Sequence, residues 1–168
     1  MRWMWIDRFT EFVSGSHASG IKNIALDEDA LDDYCPGYPH LPPTLIIEGM
    51  AQLGGILVAE MFHWDKQVVL AKVGSAEFFH PASPGDQLHY RVVLESAQDN
   101  GAVAVGTSHR NGVLQANIQL MFAFLEKGRF SDGPLFKPGD LSTMLRLMKF
   151  FHVAVDADGK PIEISSNL

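Results

Sequence analysis

The stretch Tyr34-Cys35-Pro36-Gly37-Tyr38-Pro39-His40-Leu41-Pro42-Pro43-Thr44-Leu45-Ile46-Ile47-Glu48-Gly49-Met50-Ala51-Gln52 decides how this chain is read. Pro36, Pro39, Pro42 and Pro43 each fix their own φ and push the preceding residue out of the α region, so residues 36–43 are expected as an extended, rigid loop. The loop delivers the chain to a helix. Pro43 is tolerated in a first helical turn and residues 44–62 hold no further proline, which predicts about five turns. Leu45, Ile46, Ile47, Met50, Ala51, Leu53, Ile56, Leu57, Val58, Ala59, Met61 and Phe62 cover nearly the whole circumference, as in a helix wrapped on most sides by other structure. One seam differs. Glu48 is a carboxylate that is costly to bury unless it is paired, hydrogen-bonded or facing a cavity. Gln52 lies one turn further on the same face and Gly55 at i+7. Two readings stand for the seam: a ligand site, or a glutamate held by an arginine of a second copy.

Around this helix the patterning changes period. Trp5, Ile6, Phe9 and Phe12 recur at three and four residues and predict a short helix over 5–12. Residues 12–25, with Val13, Ala18, Ile21 and Ile24 among Gly and Ser, suit an irregular strand pair or a bulged strand better than a helix. Residues 67–73 read as a strand, followed by Pro81 and a turn at Ser83-Pro84-Gly85-Asp86. Residues 88–97, 102–108 and 113–126 are strand-like runs separated by Asn100-Gly101 and Asn111-Gly112, dipeptides suited to the positive φ of two-residue hairpins. An antiparallel meander is expected. Gly128, Gly133, Pro134, Pro138 and Gly139 mark a linker, after which Leu141, Met144, Leu145, Met148 and Phe151 predict an amphipathic helix capped by Asp140. A turn is expected at Asp158-Gly159. The expected organisation is a domain over residues 1–126 and a C-terminal extension with its helix over 127–168.

Composition narrows the classes of function. The 168 residues are 46% hydrophobic and 20% charged, enough apolar material for one buried core. A formal charge of −7 has the wrong sign for a chain that binds by neutralising phosphates, so nucleic acid is not expected as a partner. One cysteine, Cys35, excludes a disulfide or a multi-thiolate zinc site within the chain. Charges at Asp7 and Arg8 interrupt what a secretory signal would require, and charges or prolines break every long apolar run. A cytoplasmic protein with no membrane span is the expectation. His17, His63, His89, His109 and His152 lack metal-ligand spacing, and no glycine-rich phosphate loop follows a strand. Neither a metal nor a nucleotide cofactor is expected.

The run from Tyr34 to Gln52 resembles the signature of the hot-dog beta-hydroxyacyl-(acyl-carrier-protein) dehydratases of fatty-acid synthesis. In outline that signature reads His-Phe-Pro-Gly-x-Pro-x-Met-Pro-Gly-Val-Leu-x-x-Glu-Ala-Met-Ala-Gln. Phe78, Pro81, Pro84-Gly85-Asp86 and the strand through Ala116, Met121, Phe122 and Ala123 resemble later parts of the same family. The resemblance implies an α+β hot-dog fold, a long central helix wrapped by an antiparallel sheet. It implies a homodimer or a higher multiple, with acyl tunnels at the interface and an acyl thioester on acyl carrier protein or coenzyme A as ligand.

In the family's mechanism a histidine of one protomer acts with a carboxylate of the other, taking a proton alpha to the thioester and helping the beta-hydroxyl leave as water. A backbone N–H at the helix start polarises the thioester carbonyl. Glu48 matches the carboxylate. The histidine position is Tyr34, whose phenol ordinarily titrates near pH 10. The glycine that supplies the N–H is Pro43, which has none to give, and losing one such donor costs about 10²–10³ in rate. Replacements within reach of the motif are His40 in the loop and His80, which follows the substrate-binding candidate Phe78 in the segment that frames the family's pocket. Tyr34 can still donate a hydrogen bond to a ligand carbonyl, and the N–H groups of Thr44 and Leu45 remain at the helix start. Three functions follow: a dehydratase with modified support around Glu48, a non-catalytic subunit that binds an acyl chain or its carrier protein, and a thioesterase in which Glu48 activates water.

Overall fold

The computed structural model describes residues 4–34, 37–125 and 139–163. Cys35, Pro36, the end of the last meander strand at Glu126, and the linker glycines and prolines up to Pro138 lie outside the described residues.

A seven-stranded sheet carries the fold, in the order β3-β6-β5-β4-β2-β1-β7. Its strands are β1 (Arg8–Val13), β2 (His17–Asn23), β3 (Gln67–Phe78), β4 (Gln87–Gln98), β5 (Gly101–Arg110), β6 (Val113–Leu125) and β7 (Ala154–Val155). All pairings are antiparallel except β1 with β7. A short helix α1 (Asp29–Tyr34) leads into the proline loop, and α2 (Pro43–Met61) then runs across the sheet. The helix α3 (Asp140–Leu147) and a 3-10 turn (Phe150–His152) precede β7. The α+β hot-dog architecture expected from the sequence is present.

The central helix forms where the prolines and apolar run predict it, with Pro43 at its first position. Ile46, Gly49, Met50, Leu53, Gly54, Leu57 and Val58 are buried. The sheet residues facing this helix include Tyr90, Val92, Ala104, Ile118, Leu120 and Phe122. The cover is one-sided. Leu45, Glu48, Gln52, Gly55, Ile56 and Ala59 form a half-buried flank, because a single protomer has only one sheet to lay against a helix that is apolar nearly all round. By length and apolarity α2 would also serve as a membrane-crossing helix, and half of that stretch is buried inside the protein.

The helix predicted over 5–12 is instead the strand β1. Phe9 and Phe12 both point inward because the ladder slips between Phe9 and Glu11, placing an extra residue in the strand. Such a bulge converts the two-residue period of a strand into a local spacing of three, which on paper is a helical spacing. Two of the turns also need refinement. Asn111 and Gly112 take positive φ, 52° and 79°, as a primed hairpin turn requires. The β4–β5 hairpin turns instead on Asp99 and Asn100, and Gly101 already belongs to β5, where a Cβ would run into the Phe122 carbonyl. At α3 the capping position is Gly139, in the left-handed region with φ 82°, and Asp140 is the first helical residue. Phe151 lies beyond the helix, adjoining Phe150 in the 3-10 turn.

The C-terminal segment shares the core. Phe150 packs edge-on against Phe9 and Phe12 with ring centroids 5.2 and 4.6 Å apart, and the Phe9 N–H donates to the Met148 carbonyl. β7 thereby covers the β1 edge of the sheet, whereas among the described residues β3 has a neighbour only on its β6 side.

Candidate active site

Glu48 sits on the half-buried flank of α2, and its Oε1 accepts a hydrogen bond of 2.9 Å from Gln52 Nε2. The Gln52 Oε1 in turn accepts the Trp5 backbone N–H at 2.9 Å. Gln52 is therefore held at both ends of its amide, and Glu48 receives a donor from a side chain that is itself positioned. The segment carrying Trp5 is tied down in its turn. Lys22, 7% exposed, lies 5.6 Å from the Trp5 ring centroid and pairs with Glu28 at 2.7 Å and Asp7 at 3.9 Å. A cation so buried needs such partners.

Gly49, beside Glu48, lets this region close. A Cβ there would come within 2.7 Å of the Trp5 carbonyl oxygen and 2.8 Å of Tyr90 Cε2. Gly54 does the same against Phe122, at 2.9 Å. Gly55 differs, since the one neighbour a Cβ would meet is Phe122 Cε1 at 3.8 Å, an ordinary contact. The seam of Glu48, Gln52 and Gly55 is thus open at its Gly55 end.

Tyr34 and His40 form a second group. Their ring centroids are 5.0 Å apart and nearly perpendicular, and His40 Nδ1 is 2.9 Å from the Tyr38 carbonyl oxygen. With the acceptor a carbonyl, the proton sits on Nδ1 of the neutral ring and leaves Nε2 as its acceptor. Tyr34 is half exposed at the end of α1. Thr44 is exposed at the second position of α2, where a helix N–H has no intrahelical partner. The Leu45 N–H, also available on paper, donates to the Pro42 carbonyl at 2.9 Å.

Beside the start of α2 lies an open cleft of about 230 Å³, lined by His40, Pro43, Ile46, Phe78, His80 and Gln115 among others. The structure thus brings His40 and Phe78 to one cleft, pairs Tyr34 with His40, and pairs Glu48 with Gln52. Gln115 was not anticipated. The ladder passes from Ser108↔Ala116 to His109↔Leu114, so Gln115 is the extra residue of a bulge and turns inward beside Ala116. Nothing in the local sequence marks that bulge, since strict alternation would send Gln115 outward with Asn117. Glu60 also escaped the sequence reading; it is buried at the far end of α2, and burial pushes its carboxyl above the usual range. Among the described residues no group of three or more His, Cys, Asp or Glu could hold a metal ion.

Comparisons with known proteins show the family and the fold. The model of the FabA-like domain family matches residues 2–120. The 3-hydroxyacyl-[acyl-carrier-protein] dehydratase FabZ of Campylobacter curvus is 33% identical over 129 residues, covering 73% of this chain and 87% of that protein. The FabZ dehydratase of Pelotomaculum thermopropionicum is 34% identical over 119 residues, covering 70% and 85%. Among solved structures, the dehydratase heterocomplex ApeI:P from Xenorhabdus doucetiae superposes with a TM-score of 0.60 at 19% identity, covering 74% of this chain and 84% of that one. A Streptococcus mutans protein bound to acetyl CoA gives 0.60 at 17% identity, covering 76% and 94%. At such identities the structural matches establish the hot-dog fold.

Proposed function

Because the chain belongs to the FabA-like domain family, we propose that it binds a 3-hydroxyacyl thioester, on acyl carrier protein or coenzyme A, and eliminates water from it through Glu48. The observation that carries this reading is the fixed chain of hydrogen bonds from Trp5 N–H to Gln52 to Glu48, which aims one carboxylate along an otherwise apolar helix flank. In this scheme Glu48 takes the proton alpha to the thioester carbonyl, the C–C double bond forms as the beta C–O bond breaks, and the same proton passes to the departing hydroxyl, giving water. One carboxylate then serves as base and acid in succession, and no co-reactant is consumed. The N–H of Thr44, at the start of α2, stabilises the charge that develops on the thioester oxygen, in place of the donor that Pro43 lacks. His40 Nε2 and the Tyr34 hydroxyl support the thioester, Gln52 holds Glu48, and Leu45, Gly55 and Phe78 line the path of the acyl chain.

The relatives named above are dehydratases, and the departures of Tyr34 and Pro43 from the dehydratase signature favour slow chemistry. They equally favour the second reading, a subunit that binds the acyl thioester without turning it over. The deciding experiment follows the ultraviolet absorbance of the enoyl thioester formed from a short 3-hydroxyacyl thioester. Wild type is expected to turn over slowly, Glu48→Gln not at all, and the double variant Tyr34→His with Pro43→Gly faster than wild type. Absence of turnover in wild type and double variant alike, with thioester binding retained, establishes the binding subunit instead. Release of free thiol without an enoyl intermediate establishes the thioesterase.

A further inference from the structure

Gln115 is 1% exposed, yet it contributes to the wall of the cleft beside α2. Its backbone carbonyl accepts the Phe79 N–H at 2.8 Å, and its side-chain Nε2 donates to the His80 carbonyl at 2.8 Å. The bulge in β6 therefore staples the segment Phe79-His80 from two sides. The orientation of the amide is settled by chemistry: the His80 carbonyl is an acceptor only, so the nitrogen faces it and Oε1 points the other way. That Oε1 is buried and has no hydrogen-bond partner among the described residues. A buried acceptor left unmade is costly, and among the described residues neither the apolar lining of Phe78, Ile46 and Pro43 nor the rings of His40 and His80 supply it with a hydrogen bond.

We propose that Gln115 is a specificity residue whose Oε1 accepts a hydrogen bond from an N–H or O–H donor on the ligand occupying this cleft. The inference rests on the thioester reading given above. It adds a selection rule: the apolar part of the lining accepts the chain, and the buried Gln115 acceptor favours a chain that carries a donor among its methylenes. Two parts of a thioester ligand have this chemistry, an amide N–H of the pantetheine arm and the hydroxyl of the acyl group. A site that hydrogen-bonds a ligand group discriminates against the analogue lacking it more strongly than apolar packing does, because the protein's own polar atom is then stranded.

Four probes separate the possibilities by calorimetric titration of the full chain. 3-Hydroxybutyryl-N-acetylcysteamine carries amide and hydroxyl, butyryl-N-acetylcysteamine the amide alone, S-ethyl 3-hydroxybutanethioate the hydroxyl alone, and S-ethyl butanethioate neither. Wild type is expected to prefer at least one single-donor probe over the probe with neither by about five- to tenfold, as one neutral hydrogen bond allows. Which one is preferred identifies the source of the donor. In Gln115→Met the preference disappears and affinity for S-ethyl butanethioate is retained. Because Gln115 also anchors His80, the variant is paired with a measurement on wild type alone: the Gln115 side-chain amide resonances shift with the preferred donor probe and not with S-ethyl butanethioate. Thioester binding with no donor preference, or a preference that survives in Gln115→Met, overturns the inference and leaves the thioester reading standing. Failure of wild type to bind any of the four overturns both.

Discussion

At the scale of single residues, the site depends on side chains whose neighbours leave them little choice. Glu48→Gln keeps shape while removing the charge, and Gln52 retains an oxygen to which it donates. The expected outcome is loss of turnover with the melting temperature within a few degrees of wild type, about what a change of up to 0.5 kcal/mol produces. The three glycines of α2 make a graded set. Gly49→Ala pushes a methyl into the Trp5 carbonyl and the Tyr90 ring and is expected to cost about 1–3 kcal/mol by chemical denaturation, as overpacking does. Gly55→Ala meets a single carbon at ordinary distance, so it is expected to be neutral or stabilising through helix propensity while it narrows the seam and weakens binding of long acyl chains. Glu60 provides a pH prediction. Burial raises its carboxyl in the folded state, and Asp156 adds to the shift, while a hydrogen bond from Ser14 and the nearby His63 oppose it. The folded protein then holds the proton more tightly than the unfolded chain. Between the ordinary carboxylate range and the raised folded value, stability falls as pH rises. Glu60→Gln is expected to flatten that fall, so its advantage over wild type in thermal unfolding grows from acid toward neutral pH.

At the scale of elements, the C-terminal segment contributes to the core through Phe150. Its ring meets Phe9 and Phe12 at 5.2 and 4.6 Å, Phe151 at 5.1 Å and Trp64 at 6.2 Å, so one side chain joins β1, the segment after α2 and the 3-10 turn. Phe150→Ala is expected to cost about 3–5 kcal/mol in denaturant unfolding, the range for emptying a buried aromatic site. A cost below about 1 kcal/mol would show that this segment lies on the domain without supporting it. The bulges in β1 and β6 act at this scale too. One sends Phe9 and Phe12 to the same side, and the other turns Gln115 into the cleft. Each inserts a single residue and changes which side chain faces inward from there on.

At the scale of the molecule, the two edges of the sheet differ. β7 pairs with β1, whereas among the described residues the twelve of β3 have a partner strand on one side only and include the exposed Leu70. A long uncovered edge is a template for pairing, and α2 turns a half-buried apolar flank outward as well. Pairing of β3 with a second copy is the expected way to cover that edge. Sedimentation velocity at micromolar concentration is expected to give a dimer, and Leu70→Asp a weakened one. A monodisperse wild-type monomer would remove the basis for a two-protomer site.

How much of this was legible in the chain follows from the range of the interactions. The central helix, its entry through prolines, the polar seam at Glu48 and Gln52 and the antiparallel meander could be read from residue order. Proline stereochemistry and hydrophobic period act over a few residues and leave local marks. The strand character of β1 could not be so read, because its bulge is a property of the pairing with β2 and imitates helical spacing. Nor could the place of Gln115, whose inward turn is set by the register of β6 on β5. Only the tertiary structure decided that Trp5 holds Gln52 from 47 positions away, that Phe150 completes the core around Phe9 and Phe12, and that one flank of α2 is left uncovered. Such contacts depend on how distant segments meet in three dimensions, and residue order records the side chains that make them without recording the meeting.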